Sequence, residues 1–212
     1  MIIPDEIQTR DDYKSCASFH GHTCMGLTLG YLAAKLAMQQ LEERRALDEE
    51  LVCITETDAC CCDAIQVLTG CTFGKGNLIY HDIGKMAFTF ASRSSGIGVR
   101  LAMRPNVMNI PQRERLLAEK IRALEANTQE ISEYEELHQN RSRSLFDQGP
   151  AAFFSVQEIN LKMPAKARIA PSILCDGCRE PVMITKLQDI DGQQLCRTCT
   201  DKRDWNTGEA IE

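Results

Sequence analysis

Leu51-Val52-Cys53-Ile54-Thr55-Glu56-Thr57-Asp58-Ala59-Cys60-Cys61-Cys62-Asp63-Ala64-Ile65-Gln66-Val67-Leu68-Thr69-Gly70 is the stretch that decides the fold class. Its first five residues are an apolar, β-branched run of strand length and read as a buried strand. From Ala59 to Leu68 the apolar residues return at helical spacing, and Gly70 ends that short helix. Upstream, residues 6–18 read as a helix, a break follows at 19–26, and Leu27 to about Leu41 reads as a second helix. Its apolar residues are too dense for one stripe, which predicts burial on most sides. Downstream of Gly74 and Gly76, Asn77–Asp82, Lys85–Ser92 and Ile97–Met103 read as antiparallel strands, punctuated by Gly84, Ser94, Ser95 and Gly96. Helices first, then a strand, a helix and a run of strands predict an α+β fold, with N-terminal helices packed on an antiparallel sheet.

The chain then changes character. Pro111 opens a helix to about Ala126, with Leu117, Ile121 and Leu124 on one face, and a charged helix follows from about Thr128 to Ser144. Residues 148–173 hold Pro150, Pro164 and Pro171 with little periodicity, and read as an extended linker draped over the first domain to cover Phe153 and Phe154. The expected division is therefore 1–147 for a metal-binding domain with its helical middle segment, 148–173 for the linker, and 174–203 for a small C-terminal ribbon.

A chain of 212 residues, 43% of them apolar, is long enough for one sizeable core and an appendage. The net charge of −6 argues against direct contact with nucleic acid. The first residues lack the basic and apolar regions of a secretion signal, and no apolar stretch has membrane-spanning length, so a soluble cytoplasmic protein is expected. In that compartment eleven cysteines indicate metals or redox chemistry rather than a disulfide framework. Seven lie between Cys16 and Cys71 and four after residue 174, which implies two separate thiol sites.

Cys175-Asp-Gly-Cys178 and Cys196-Arg-Thr-Cys199 are two CxxC pairs separated by a hairpin, here read as Val182–Leu187 and Gln194–Leu195 turning near Asp191-Gly192. Four thiolates on two knuckles close a tetrahedral zinc site with no vacancy, which is a structural role. Too few apolar residues lie between them to fold alone, so zinc supplies the folding free energy.

His20, His22 and Cys24 alternate within five residues just before a helix. In an extended segment they project to one side, and imidazole with thiolate suits zinc, nickel, copper or iron. The helix N-terminus is expected to lower the pKa of Cys24. Neighbouring side chains on a helix diverge by about 100°, so Cys60, Cys61 and Cys62 cannot share one metal. Cys60, nearest the helix start, is the candidate ligand, and Cys61 and Cys62 pack as small hydrophobes. Asp63 either orients a ligand or caps the turn. Cys71 is a further candidate ligand, and Lys75 in the loop Cys71–Asn77 either holds an anionic substrate group or is solvated.

These residues also carry a resemblance. Phe19-His-Gly-His-x-Cys-x-Gly26, followed by Asp58-Ala-Cys60-x-x-Asp63-Ala-Ile-Gln-Val-Leu-Thr-Gly-Cys71-Thr-Phe-Gly-Lys-Gly-Asn77, resembles the FmdE family of formylmethanofuran dehydrogenase components. Ala167-Arg-Ile169 and Ser172 leading into the CxxC ribbon match its two-part layout. Met25 stands where the family pattern has proline, and Cys61-Cys62 where it has small or apolar residues. The resemblance implies a Cys/His metal centre, a zinc ribbon, a homodimer, and association with a molybdenum or tungsten enzyme of one-carbon redox chemistry. A metal held by His20 or His22 with Cys24, Cys60 or Cys71 leaves a position for a small-molecule ligand, with Asp63 and Lys75 beside it. On that reading Cys24, Cys60, Lys75 and Asp63 are the catalytic candidates. The alternative is a non-catalytic metal-delivery or regulatory partner.

Overall fold

The computed structural model describes residues 11–201, so the part of the first expected helix before Asp11 lies outside the described residues, as do residues 202–203 of the ribbon. Within them the chain divides into two compact units, one ending at Lys166 and one beginning at Ala167.

The first unit opens with two helices, α1 (Asp11–His20) and α2 (Met25–Leu41). Strand β1 (Leu51–Thr55), helix α3 (Cys61–Thr69) and strands β2 (Leu78–Tyr80), β3 (Ala87–Ser92) and β4 (Ile97–Met103) follow. The helices α4 (Gln112–Arg122), α5 (Thr128–Gln148) and the single turn α6 (Pro150–Phe153) lead into β5 (Phe154–Asn160). The five strands form one sheet in the order β2-β1-β3-β4-β5.

Helix α2 is the axis of the core. Leu27, Leu29, Tyr31, Leu32, Ala33, Ala34 and Ala37 are all buried, as the unbroken apolar density of the sequence requires. They share one core with Phe88 and Phe90 of β3, Val99 and Leu101 of β4, and Phe153 and Phe154. Each of these large side chains contributes about 1.5–3 kcal/mol relative to exposure.

Two features differ from the sequence reading. The β2 strand is parallel to β1, pairing Cys53 with Leu78 and Thr55 with Tyr80, while the other three pairings are antiparallel. The reason is α3: a helical crossover returns the chain to the same edge running in the same direction. The pair is thus a βαβ unit, whose helix N-terminus and strand C-termini lie at the same end. Second, where an extended linker is expected at 148–173, residues 154–160 form the fifth strand. Its register with β4 runs from Met103↔Phe154 to Ile97↔Asn160. Phe153 and Phe154 are covered, 1% and 0% exposed, because α6 and the head of β5 tuck under α2.

The second unit holds two small hairpins. Strands β6 (Ser172–Leu174) and β7 (Pro181–Met183) pair, as do β8 (Gln188–Ile190) and β9 (Gln193–Leu195). Val182 therefore pairs within the first hairpin and not across Asp191-Gly192. The left-handed Asp191 and Gly192 (φ 52° and 81°) form a two-residue turn, which can join only the strands immediately flanking it. A short helix, α7 (Arg197–Thr200), follows.

Candidate metal centre

In the second unit, Cys175, Cys178, Cys196 and Cys199 bring their sulfurs within 4.8 Å of one another. Four thiolates around a zinc at the usual bond length stand about 3.8 Å apart. The Cys178 and Cys196 sulfurs are 3.9 Å apart, which fits. Backbone N–H groups of Cys178 and Cys196 aim at Cys175 and lower its pKa to about 6. Gly177 is required by packing, since a Cβ there would stand 2.8 Å from the Cys199 sulfur. The cluster fits a zinc ribbon.

In the first unit, His20, Cys24 and Cys60 likewise place their ligand atoms within 4.8 Å of one another. Each comes from a helix end. His20 closes α1, Cys24 is the N-cap of α2, and Cys60 is the N-cap of α3 at the strand C-terminal end of the βαβ unit. The Cys24 sulfur accepts the Leu27 N–H at 3.3 Å. His20 Nδ1 lies 2.6 Å from Asp63 Oδ2. With Nδ1–H donating to that carboxylate, the lone pair sits on Nε2, which faces the Cys24 sulfur at 3.7 Å. A sulfur and an imidazole nitrogen bound to one zinc stand about 3.5 Å apart, so this spacing fits too. Asp63 thereby fixes the orientation of the His20 ring.

The space between the sulfurs depends on Gly26. A Cβ at that position would lie 3.0 Å from the Cys60 Cβ, 3.8 Å from its sulfur and 3.9 Å from the Cys24 sulfur. One turn further, a Cβ at Gly30 would lie 2.2 Å from the Cys61 carbonyl oxygen. Two glycines four residues apart share a helix face. Together they let α2 approach the start of α3 closely enough to bring the two N-cap thiols together. Gly26-x-x-x-Gly30 is the sequence signal of this close approach.

Other sequence candidates fall elsewhere. His22 is exposed, and its ring lies against that of His20, tilted by 37° with centroids 4.5 Å apart, outside the three-residue group. The segment is not extended as the alternation supposed. His20 is still helical, and Gly21 (φ 93°) turns the chain out of α1. Cys71 is fully buried at the far end of α3. The nine residues of that helix span about 13 Å, too far to join Cys60. Burial pushes the Cys71 thiol up to about 11. Lys75 follows it to that end, where its ammonium donates to the carbonyls of Asp48, Ala46 and Leu47 at 2.7, 3.4 and 3.5 Å. It serves there as a clamp between two loops. Cys61 and Cys62 are buried, and Cys62 donates to the Thr57 carbonyl at 3.1 Å. The Cys24 pKa, expected low from the helix N-terminus, is instead raised: burial outweighs the N–H groups of Leu27 and Gly26.

No helix among the described residues is long and apolar enough to cross a membrane. The family model described as "FmdE, Molybdenum formylmethanofuran dehydrogenase operon" matches residues 19–155. The chain is 29% identical over 188 residues to a probable S-adenosyl-L-methionine-binding protein of Archaeoglobus fulgidus, a match covering 85% of this chain. It spans 50% of the length of that curated relative. It is also similar to the crystal structure of a tungsten formylmethanofuran dehydrogenase FmdE-like protein from Syntrophus aciditrophicus. The TM-score is 0.61 at 25% identity, over 95% of this chain and 94% of that one.

Proposed function

The chain belongs to the FmdE family, and from that premise we propose that it holds a transition metal, zinc, nickel or iron, through His20, Cys24 and Cys60 and presents it to a small molecule. The observation that carries this reading is the convergence of three helix ends on one point with an orienting carboxylate behind the imidazole. Three protein ligands with a remaining position are the pattern of a catalytic metal, whereas the four-cysteine ribbon is the pattern of a structural zinc.

When bound, such a metal supplies Lewis acidity at the remaining position. The chain's own residues supply the rest. Asp63 holds the His20 tautomer, the two N-caps present thiols with little freedom, and Gly26 keeps the space between them clear. Family membership extends the proposal to action in or beside the one-carbon redox chemistry of a molybdenum or tungsten formylmethanofuran dehydrogenase, as a cytoplasmic homodimer associated with such an enzyme. His20 and Cys60 are only partly buried, and that exposure favours a second reading, delivery of an exchangeable metal without turnover. Metal that exchanges freely with added chelator supports delivery; metal that stays while a ligand binds supports the first reading.

The test is metal content after identical purification of wild type and Cys24→Ser. The exchange removes a soft anionic ligand with little change in volume, so the variant should lose one metal per chain and keep the ribbon zinc. Equal content in both proteins refutes the centre.

A further inference from the structure

We propose that the remaining position at the His20–Cys24–Cys60 centre takes a low-molecular-weight thiol, bound as its thiolate; this rests on the three-ligand reading above. The first argument is the donor set. Two protein thiolates already balance a divalent charge, so a water held there is acidified far less than one beside three neutral imidazoles. Sulfur donors select soft partners, and a further sulfur matches those present better than a carboxylate or phosphate oxygen does.

The second argument is the surrounding field. Cys24 and Cys60 both stand at helix N-termini, of a 17-residue helix and a 9-residue helix, aimed at one point. Each helix carries about half a positive elementary charge at that end, and together they favour one more anion at a centre whose own charges cancel. Asp63 faces the imidazole from behind and adds a negative charge, which disfavours a doubly charged anion such as phosphate.

The third argument is access and size. Gly21, His22 and Thr23 are exposed beside the cluster, and His20 and Cys60 are themselves only partly buried, so the open side of the centre is its solvent side and takes a small molecule. In the binding step the thiol's S–H bond breaks and its proton leaves to solvent water. The sulfur lone pair forms the bond to the metal, and no atom changes oxidation state.

The experiment uses the full chain loaded with cobalt(II), with 2-mercaptoethanol as probe and acetate and phosphate as controls. The ribbon, with all four positions filled by protein, does not respond, so any change reports the other centre. Millimolar 2-mercaptoethanol should raise the sulfur-to-cobalt charge-transfer absorption of the chain about 1.2-fold, six cobalt–thiolate bonds becoming seven, four of them the ribbon's. Acetate and phosphate should leave it unchanged. An unchanged spectrum with thiol, an equal response to acetate, or loss of cobalt to the thiol overturns this inference while leaving the centre intact. A Cys24→Ser chain that takes up as much cobalt as wild type overturns the three-ligand reading itself.

Discussion

Gly30→Ala is the perturbation that tests how the centre is built, because it touches none of the ligands. A Cβ at residue 30 would meet the Cys61 carbonyl oxygen at 2.2 Å and its Cα at 2.6 Å, where ordinary contact begins at 3.4 Å. Both obstacles are backbone, so no rotamer change relieves them, and α2 and α3 must separate by about 1 Å. Alanine in a helix interior gains about 1 kcal/mol in propensity over glycine. Overpacking against rigid backbone costs about 1–3 kcal/mol and sometimes more, so the steric term should win. With backbone as near as 2.2 Å the cost lies at the upper end, about 3 kcal/mol, so the expected net loss is about 2 kcal/mol, or about 4–8 °C in Tm for a chain of this size. Metal binding should suffer more than stability, since ligand positions tolerate only about 0.2 Å and the separation falls between Cys24 and Cys60. Thermal unfolding and metal content of the purified variant measure both effects. Gly74→Ala, with nothing within 4 Å of the added methyl, is the control and should be neutral in each assay. A Gly30→Ala protein with full metal content and an unchanged or higher Tm would refute the close-approach argument.

Asp63→Asn should weaken N-terminal metal binding about 10- to 100-fold without unfolding the chain, because the imidazole loses its orienting carboxylate; competition with a chelator reads it. Cys71→Ala should leave metal content at the wild-type level and lower stability by about 1–2 kcal/mol, as expected for a small cavity; loss of a metal would restore Cys71 as a ligand. Cys196→Ser should release about one zinc per chain and melt the ribbon alone, with near-ultraviolet circular dichroism of the first unit preserved.

What the sequence determined by itself was local chemistry. Burial of α2 followed from unbroken apolar density, and the short strand and helix between Leu51 and Gly70 followed from run length and a stop signal. The four ribbon cysteines are held by two tight turns, so their convergence needed no knowledge of the rest of the chain. Cys60 was separable from Cys61 and Cys62 because helical geometry sends adjacent side chains in different directions. What only the tertiary structure decided was which distant segments meet. His20, Cys24 and Cys60 lie on three helix ends brought together by the packing of α1 and α2 on α3, and that packing depends on Gly26 and Gly30 fitting against Cys60 and Cys61. Cys71 and Lys75 share a motif with Cys60 in the sequence, yet the length of α3 carries them to its opposite end. The parallel β2 and the edge strand β5 were hidden for the same reason. Strand pairing is a long-range choice made by crossovers and burial, and short strands of mixed pattern carry no record of their neighbour.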